Sequence, residues 1–65
     1  MKRLEREVLA LITLRQMFEF EPPTLEDIAT LLRSTPGEIR HVVWGLWMDD
    51  KIKAWKARPR RWILS

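Results

Sequence analysis

Apolar side chains recur at helical spacing in three stretches of this chain and partly alternate with polar ones near its end. In the first stretch Leu4, Val8, Leu11, Ile12, Arg15 and Phe18 follow a three-four spacing, and Leu9 and Leu14 widen the apolar face. This predicts a helix over about residues 2–18. The unbroken apolar run from Val8 to Ile12 predicts two buried sides, one against the rest of the domain and one against a partner chain. Lys2, Arg3, Glu5, Arg6 and Glu7 form a solvated first turn, and Met17 and Phe18 read as packing residues. The helix should stop in Phe20-Glu21-Pro22-Pro23, because proline lacks an N–H and biases the preceding residue out of the helical region.

A second helix is predicted over about residues 24–33, capped by Thr24, with Asp27 favouring the positive end of its dipole. Its Leu25, Ile28, Ala29 and Leu32 form a core-facing stripe. Only Ser34 separates it from Thr35, which caps a third helix over about residues 36–48. Pro36 suits the first helical position, and Glu38 is placed to reach back to the Thr35 N–H and complete a capping box. Ile39, Val42, Val43 and Leu46 share one side of this helix, whereas Gly37, Arg40, His41, Trp44 and Met48 share the other. That second side holds a cation, an imidazole, an indole and a thioether but no carboxylate, which suits a partner better than water. Two short helices joined this tightly, with small Ala29 where they cross, read as a helix-turn-helix.

After the polar turn Asp49-Asp50-Lys51, Ile52 to Lys56 predicts a strand. Ala57-Arg58-Pro59-Arg60 is a loop, and Arg61 to Leu64 a second strand. The expected fold is α+β, three helices followed by a two-stranded hairpin spanning about residues 52–64, in a single domain over 1–65.

Composition narrows the function classes. With no cysteine there is no disulfide framework or thiolate zinc site, and one histidine cannot build a metal site alone. No apolar run reaches the length of a membrane span, and the opening MKRLEREV lacks the uninterrupted apolar region of a signal peptide. A cytoplasmic protein without cofactor, metal or membrane partner is expected. Neither a Gly-rich phosphate loop nor a Ser-His-Asp set supports catalysis, so no enzyme is expected. The net charge of +3 is unevenly laid out: residues 1–50 hold six Lys/Arg against nine Asp/Glu, while residues 51–65 hold six Lys/Arg and no acid. Such segregation points to a polyanion, and the interleaved Trp55 and Trp62 argue against a merely solvated basic tail.

The order helix, helix, helix, strand, basic loop, strand resembles the winged helix-turn-helix family. Leu25-Glu26-Asp27-Ile28-Ala29-Thr30-Leu31-Leu32 is similar to the first helix of its motif, and Glu38-Ile39-Arg40-His41-Val42-Val43-Trp44-Gly45-Leu46 to its recognition helix. The resemblance covers residues 24–64 and departs from the pattern in the turn, where Arg33 stands at a frequent Gly position and Ser34 at a usual apolar one. Glu38-Ile39, Trp44, Leu46, Lys51-Ile52, Pro59 and Trp62 also resemble the spacing of the Z-alpha family, which binds Z-DNA and Z-RNA. In that family an Asn and a Tyr on the recognition helix and a Pro-Pro-x-Trp in the wing make the contacts. By position these fall on Arg40, Trp44 and Pro59-Arg60-Arg61-Trp62, with Arg for Asn, Trp for Tyr and Arg60 for the second Pro.

The candidate nucleic-acid contacts are therefore Arg40, His41 and Trp44 on helix three, and Lys53, Lys56, Arg58, Pro59, Arg60, Arg61 and Trp62 in the wing. Arg40 can bond a guanine edge or clamp a phosphate, and His41 can donate or accept. Trp44 can stack on a base, fill a partner's pocket or lie partly buried against the wing. Trp47 and Trp55 read as structural, Trp62 as both brace and contact, and Met48 as packing. Pro59 restricts the loop, so its arginines lose less entropy on binding. The expected function is a small DNA-binding transcriptional regulator, nucleoid-associated, with helix three in the major groove and the wing on the backbone. RNA is a further substrate this reading admits, and a homodimer through helix one an expected assembly. The rival is a protein-interaction module, an adaptor or inhibitor, using the Trp-rich face.

Overall fold

The computed structural model describes residues 2–58 and 60–65. Three helices, α1 (Arg3–Met17), α2 (Leu25–Leu31) and α3 (Pro36–Met48), precede two strands, β1 (Ile52–Ala54) and β2 (Trp62–Leu64). The strands pair antiparallel in the register Ile52 with Leu64, Lys53 with Ile63 and Ala54 with Trp62. The architecture is the α+β arrangement of three helices with a hairpin in the position of a wing.

Each helix contributes to one core. Val8 and Ile12 of α1, Ile28 and Ala29 of α2, Ile39, Val43 and Leu46 of α3, and Ile52 of β1 are buried together. Four of these eight are isoleucines, whose few rotamers in a helix or strand favour one fixed packing. Leu4, Leu9, Leu11, Leu25, Leu32, Val42, Trp62 and Leu64 close the cluster as half-buried members.

The caps differ from expectation in one respect. Thr24 and Asp27 form a reciprocal box: the Asp27 N–H donates to Thr24 Oγ1 and the Thr24 N–H to Asp27 Oδ2, both at 3.1 Å. Thr35 instead makes only half of its expected box, accepting from the Glu38 N–H at 3.3 Å while the Glu38 side chain stays in solvent. Among the described residues, the box therefore belongs to α2, where the shorter Asp27 side chain also lies 3.8 Å from the Arg61 guanidinium.

All three helices end in the same way. Glu19, Arg33 and Asp50 take positive φ values of 57°, 54° and 59°. In each, this residue donates to the carbonyl three back, and the next residue donates five back: Phe20 to Arg15, Ser34 to Ala29, and Lys51 to Leu46. These are Schellman closures built without glycine. The turn between α2 and α3 thus has the left-handed geometry for which glycine is usual, with Arg33 held in it by two flanking hydrogen bonds. Helix α2 closes at Leu31, two residues short of the expected end, because this closure consumes Leu32 and Arg33.

Strand β1 is shorter than the predicted 52–56. The Trp55 N–H still donates to the Arg61 carbonyl at 2.8 Å, and the chain then bends away through Lys56 to Arg58. Arg61 pairs in an isolated antiparallel bridge with Thr24, and the Trp62 N–H donates to the Pro23 carbonyl at 3.0 Å. The segment before α2, which the sequence predicts only as a helix stop, is therefore stitched along β2, with Pro22 and Pro23 buried.

Three side chains expected to pack do not. Met17, Phe18 and Met48 are all more than half exposed. Beyond Ile12 the α1 stripe leaves the core, so Met17 and Phe18 point to solvent, and Met48 lies on the outward side of α3.

A left-handed non-glycine residue carries a local cost that glycine lacks. Arg33→Gly is expected to stabilise the fold by about 1 kcal/mol, raising Tm by roughly 4–8 °C in a domain of this size. A calorimetric scan showing a lower Tm would contradict the turn geometry.

Candidate nucleic-acid interface

The outward side of α3 is built by its phase in the core. With Ile39, Val43 and Leu46 turned inward, Gly37, Arg40, His41 and Trp44 line a shallow open groove of about 390 Å³ on the other side. Gly37 supplies no side chain, and nothing lies within 4 Å of where its Cβ would stand, so the groove is open at that end. Arg40 and His41 are exposed and make no ion pair among the described residues. Trp44 is 59% exposed, so of its three readings burial against the wing is not the one adopted.

The wing tryptophan meets a different indole. The Trp62 and Trp47 ring centroids lie 6.3 Å apart at an interplanar angle of 58°, a tilted aromatic pair that fixes the hairpin to the end of α3. Trp47 is the packing residue expected, though it keeps about half its surface. Trp55 lies half-buried on the outer side of the hairpin, where Lys53, Ala54, Lys56 and Ile63 join it around a shallow depression.

The six cations of the last fifteen residues divide into two groups. Lys51, Lys53, Lys56 and Arg60 are exposed, and none makes an ion pair among the described residues. Arg60 has φ 71°, a left-handed backbone at the loop tip. Arg58 is exposed but engaged: its Nη1 donates to Glu21 Oε1 at 2.8 Å. Arg61 is not at the tip with the others. Its side chain keeps only 20% of its surface and reaches inward, with Nη1 donating to the Pro22 carbonyl and lying 3.8 Å from Asp27 Oδ2, and Nε 3.4 Å from Glu21 Oε1. The cause is the bridge to Thr24, which turns the Arg61 side chain onto the start of α2. Pro59, the remaining expected contact, lies outside the described residues.

The structure thus brings Arg40, His41 and Trp44 onto one face, and sets Lys53, Lys56 and Arg60 on a hairpin that α3 braces through Trp47. Glu21 is the residue that sequence reasoning missed. It holds two wing arginines from 37 and 40 positions away, and no local spacing signals such a contact. Among the described residues no set of His, Cys, Asp and Glu is grouped to hold a metal, and no helix is long and apolar enough to cross a membrane.

Compared with protein-family models and with curated proteins, the chain matches none. The face itself carries the functional argument.

The two classes of tryptophan and arginine separate in stability measurements. Trp44→Ala is expected to change the urea midpoint little, within about 0.5 kcal/mol, whereas Trp62→Ala loses about 1–3 kcal/mol with its packing on Trp47. Likewise Arg61→Ala is expected to destabilise by about 1–2 kcal/mol, through lost charge-assisted hydrogen bonds in a partly screened setting. Arg60→Ala is expected to be near neutral.

Proposed function

We propose that this domain is a winged-helix protein that binds duplex DNA and acts as a small transcriptional regulator. Helix α3 enters the major groove with Arg40, His41 and Trp44 toward the bases, and the hairpin lies on the flanking backbone. The observation that carries the reading is a hairpin segment with six cations and no carboxylate of its own, of which Lys51, Lys53, Lys56 and Arg60 make no ion pair among the described residues, together with an α3 groove lined by Gly37, Arg40, His41 and Trp44. A polyanion is the partner such a pair complements.

Charge roles divide within this reading. Lys53, Lys56 and Arg60 meet phosphates directly. Arg58 meets one only by leaving Glu21, so Glu21 competes with the backbone for it. Arg61 serves by holding the hairpin in place.

Exposed Trp44 and Met48 favour one other reading, in which the same α3 face docks into an apolar pocket of a protein partner. Recognition of Z-form duplex, or of RNA, uses the same side chains and is distinguished by the choice of probe.

Anisotropy titration of a labelled mixed-sequence duplex over a range of salt concentrations tests the reading. Counterion release predicts a log–log slope of about −3 to −5 for four or five phosphate contacts. Replacing Lys53, Lys56 and Arg60 together by Ala should flatten that slope by about 2–3, while Glu21→Gln should steepen it by up to about 0.9 by releasing Arg58. No binding at low salt by a folded sample sinks the proposal and favours the protein partner. Tighter binding to an alternating Z-prone duplex, or to duplex RNA, moves it to those substrates.

A further inference from the structure

A second exposed apolar surface lies away from α3. The last turns of α1, the loop after it and the end of α2 form a groove of about 410 Å³ lined by Leu11, Leu14, Arg15, Phe18, Phe20 and Leu31. Leu14, Phe18, Phe20 and Leu31 are each more than half exposed. Together these four present an apolar patch within the roughly 300–600 Å² range of the largest patch on a typical monomer, a size at which such patches are often functional. The groove shares no residue with the α3 face or the hairpin.

We infer that this groove is where a second copy of the chain docks, through a two-fold interface that uses the same surface on both copies. Two observations select that occupant. The first is area. A stable interface buries about 800 Å² per partner, and homodimer interfaces are about 65% apolar, so each copy must supply about 500 Å² of apolar surface. The four side chains, with half-buried Leu11 and the Arg15 stem, offer a patch of that order. The second is charge. Arg15 lines the groove, Glu7 and Arg33 flank its adjoining depression, and exposed Glu19 stands between Phe18 and Phe20. Arg15 also donates to the Glu21 carbonyl at 3.1 Å and Glu7 is paired with Arg3 at 3.2 Å, so the charges bordering the groove and the adjoining depression are of both signs, which lets a two-fold axis set acid against base as a self-complementary surface requires. The α3 groove lacks this balance, because its lining of Gly37, Arg40, His41 and Trp44 holds a guanidinium and no carboxylate, so a second copy of the same groove offers Arg40 no acid. A nucleic acid finds no net positive field at the α1–α2 rim. The dimer stands independently of the DNA-binding reading.

Sedimentation equilibrium across the micromolar range tests this, with helical circular dichroism as the control for folding. The wild-type chain should approach twice its monomer mass. The double variant Leu14→Glu/Phe18→Glu should stay monomeric with its helix signal intact, because both positions are exposed, and Trp44→Ala should dimerise like wild type. Should the double variant lose helix, Leu31→Lys on the opposite wall of the groove gives the same reading from α2. A wild-type monomer at the highest concentration overturns the inference. So does a dimer that survives the groove variants, or growth that does not stop at two copies.

Discussion

A hairpin of two three-residue strands has too few hydrogen bonds and too little buried surface to hold itself in water. Here its position depends on the extended segment ahead of α2. The Trp62 N–H donates to the Pro23 carbonyl, Arg61 bridges to Thr24, and the Arg61 guanidinium is shared by the Pro22 carbonyl, Glu21 and Asp27. Further along the same edge of β2 Gln16 of α1 accepts from the Leu64 N–H at 2.6 Å. The end of the chain is thereby tied to the exits of α1 and the entry of α2. Pro22 and Pro23 suit this role because they stop one helix, hold an extended backbone and leave their carbonyls free to accept. The same Asp27 that helps hold Arg61 also completes the α2 cap, so one carboxylate orients both the helix-turn-helix and the hairpin.

That tie changes what the charge pattern means. Counted along the sequence, residues 51–65 are uniformly basic. In the fold, Glu21 and Asp27, drawn from a region of acidic balance, engage two of that segment's arginines, Arg58 and Arg61. Arg61 contributes order, and its desolvated guanidinium is satisfied locally, which lets a cation lie under a hairpin without an unpaired buried charge. The basic surface is correspondingly narrower than the composition suggests, centred on Lys53, Lys56 and Arg60.

The helices, their order and the α3 core stripe were legible because each rests on local physics: threonine at the N-caps, proline at the first position of α3, and apolar residues at a period that only one face can bury. The outward side of α3 followed from the same periodicity. Three features were hidden. Periodicity gives the direction of a stripe but not how far a neighbour covers it, so Phe18 continues the Val8–Ile12 face into solvent. Closures that use Glu19, Arg33 and Asp50 in left-handed backbone carry no glycine cue, so the helix ends were blurred and Arg33 looked like a departure from the turn. The third hidden feature, the Glu21–Arg58 pair, joins residues 37 apart and becomes visible only once the hairpin has folded back.

The exposed apolar surface follows from the size of the chain. Eight buried residues form the core of a domain that, at this length, covers only about 60% of its unfolded surface. Helix α1 packs on the α3 and hairpin side with Val8 and Ile12, and Leu14 and Phe18 stay more than half exposed. Covering them by a second copy, as inferred above, would add apolar burial and couple folding to concentration by mass action. It also leaves the α3 face of each copy outward, because the two surfaces share no side chain. A lone domain reads few base pairs, whereas two α3 helices fixed by one two-fold axis read two half-sites at a set spacing. The apolar end of α1 and the cationic hairpin are thus physically separate surfaces, one whose chemistry suits apolar burial and one whose chemistry suits a polyanion.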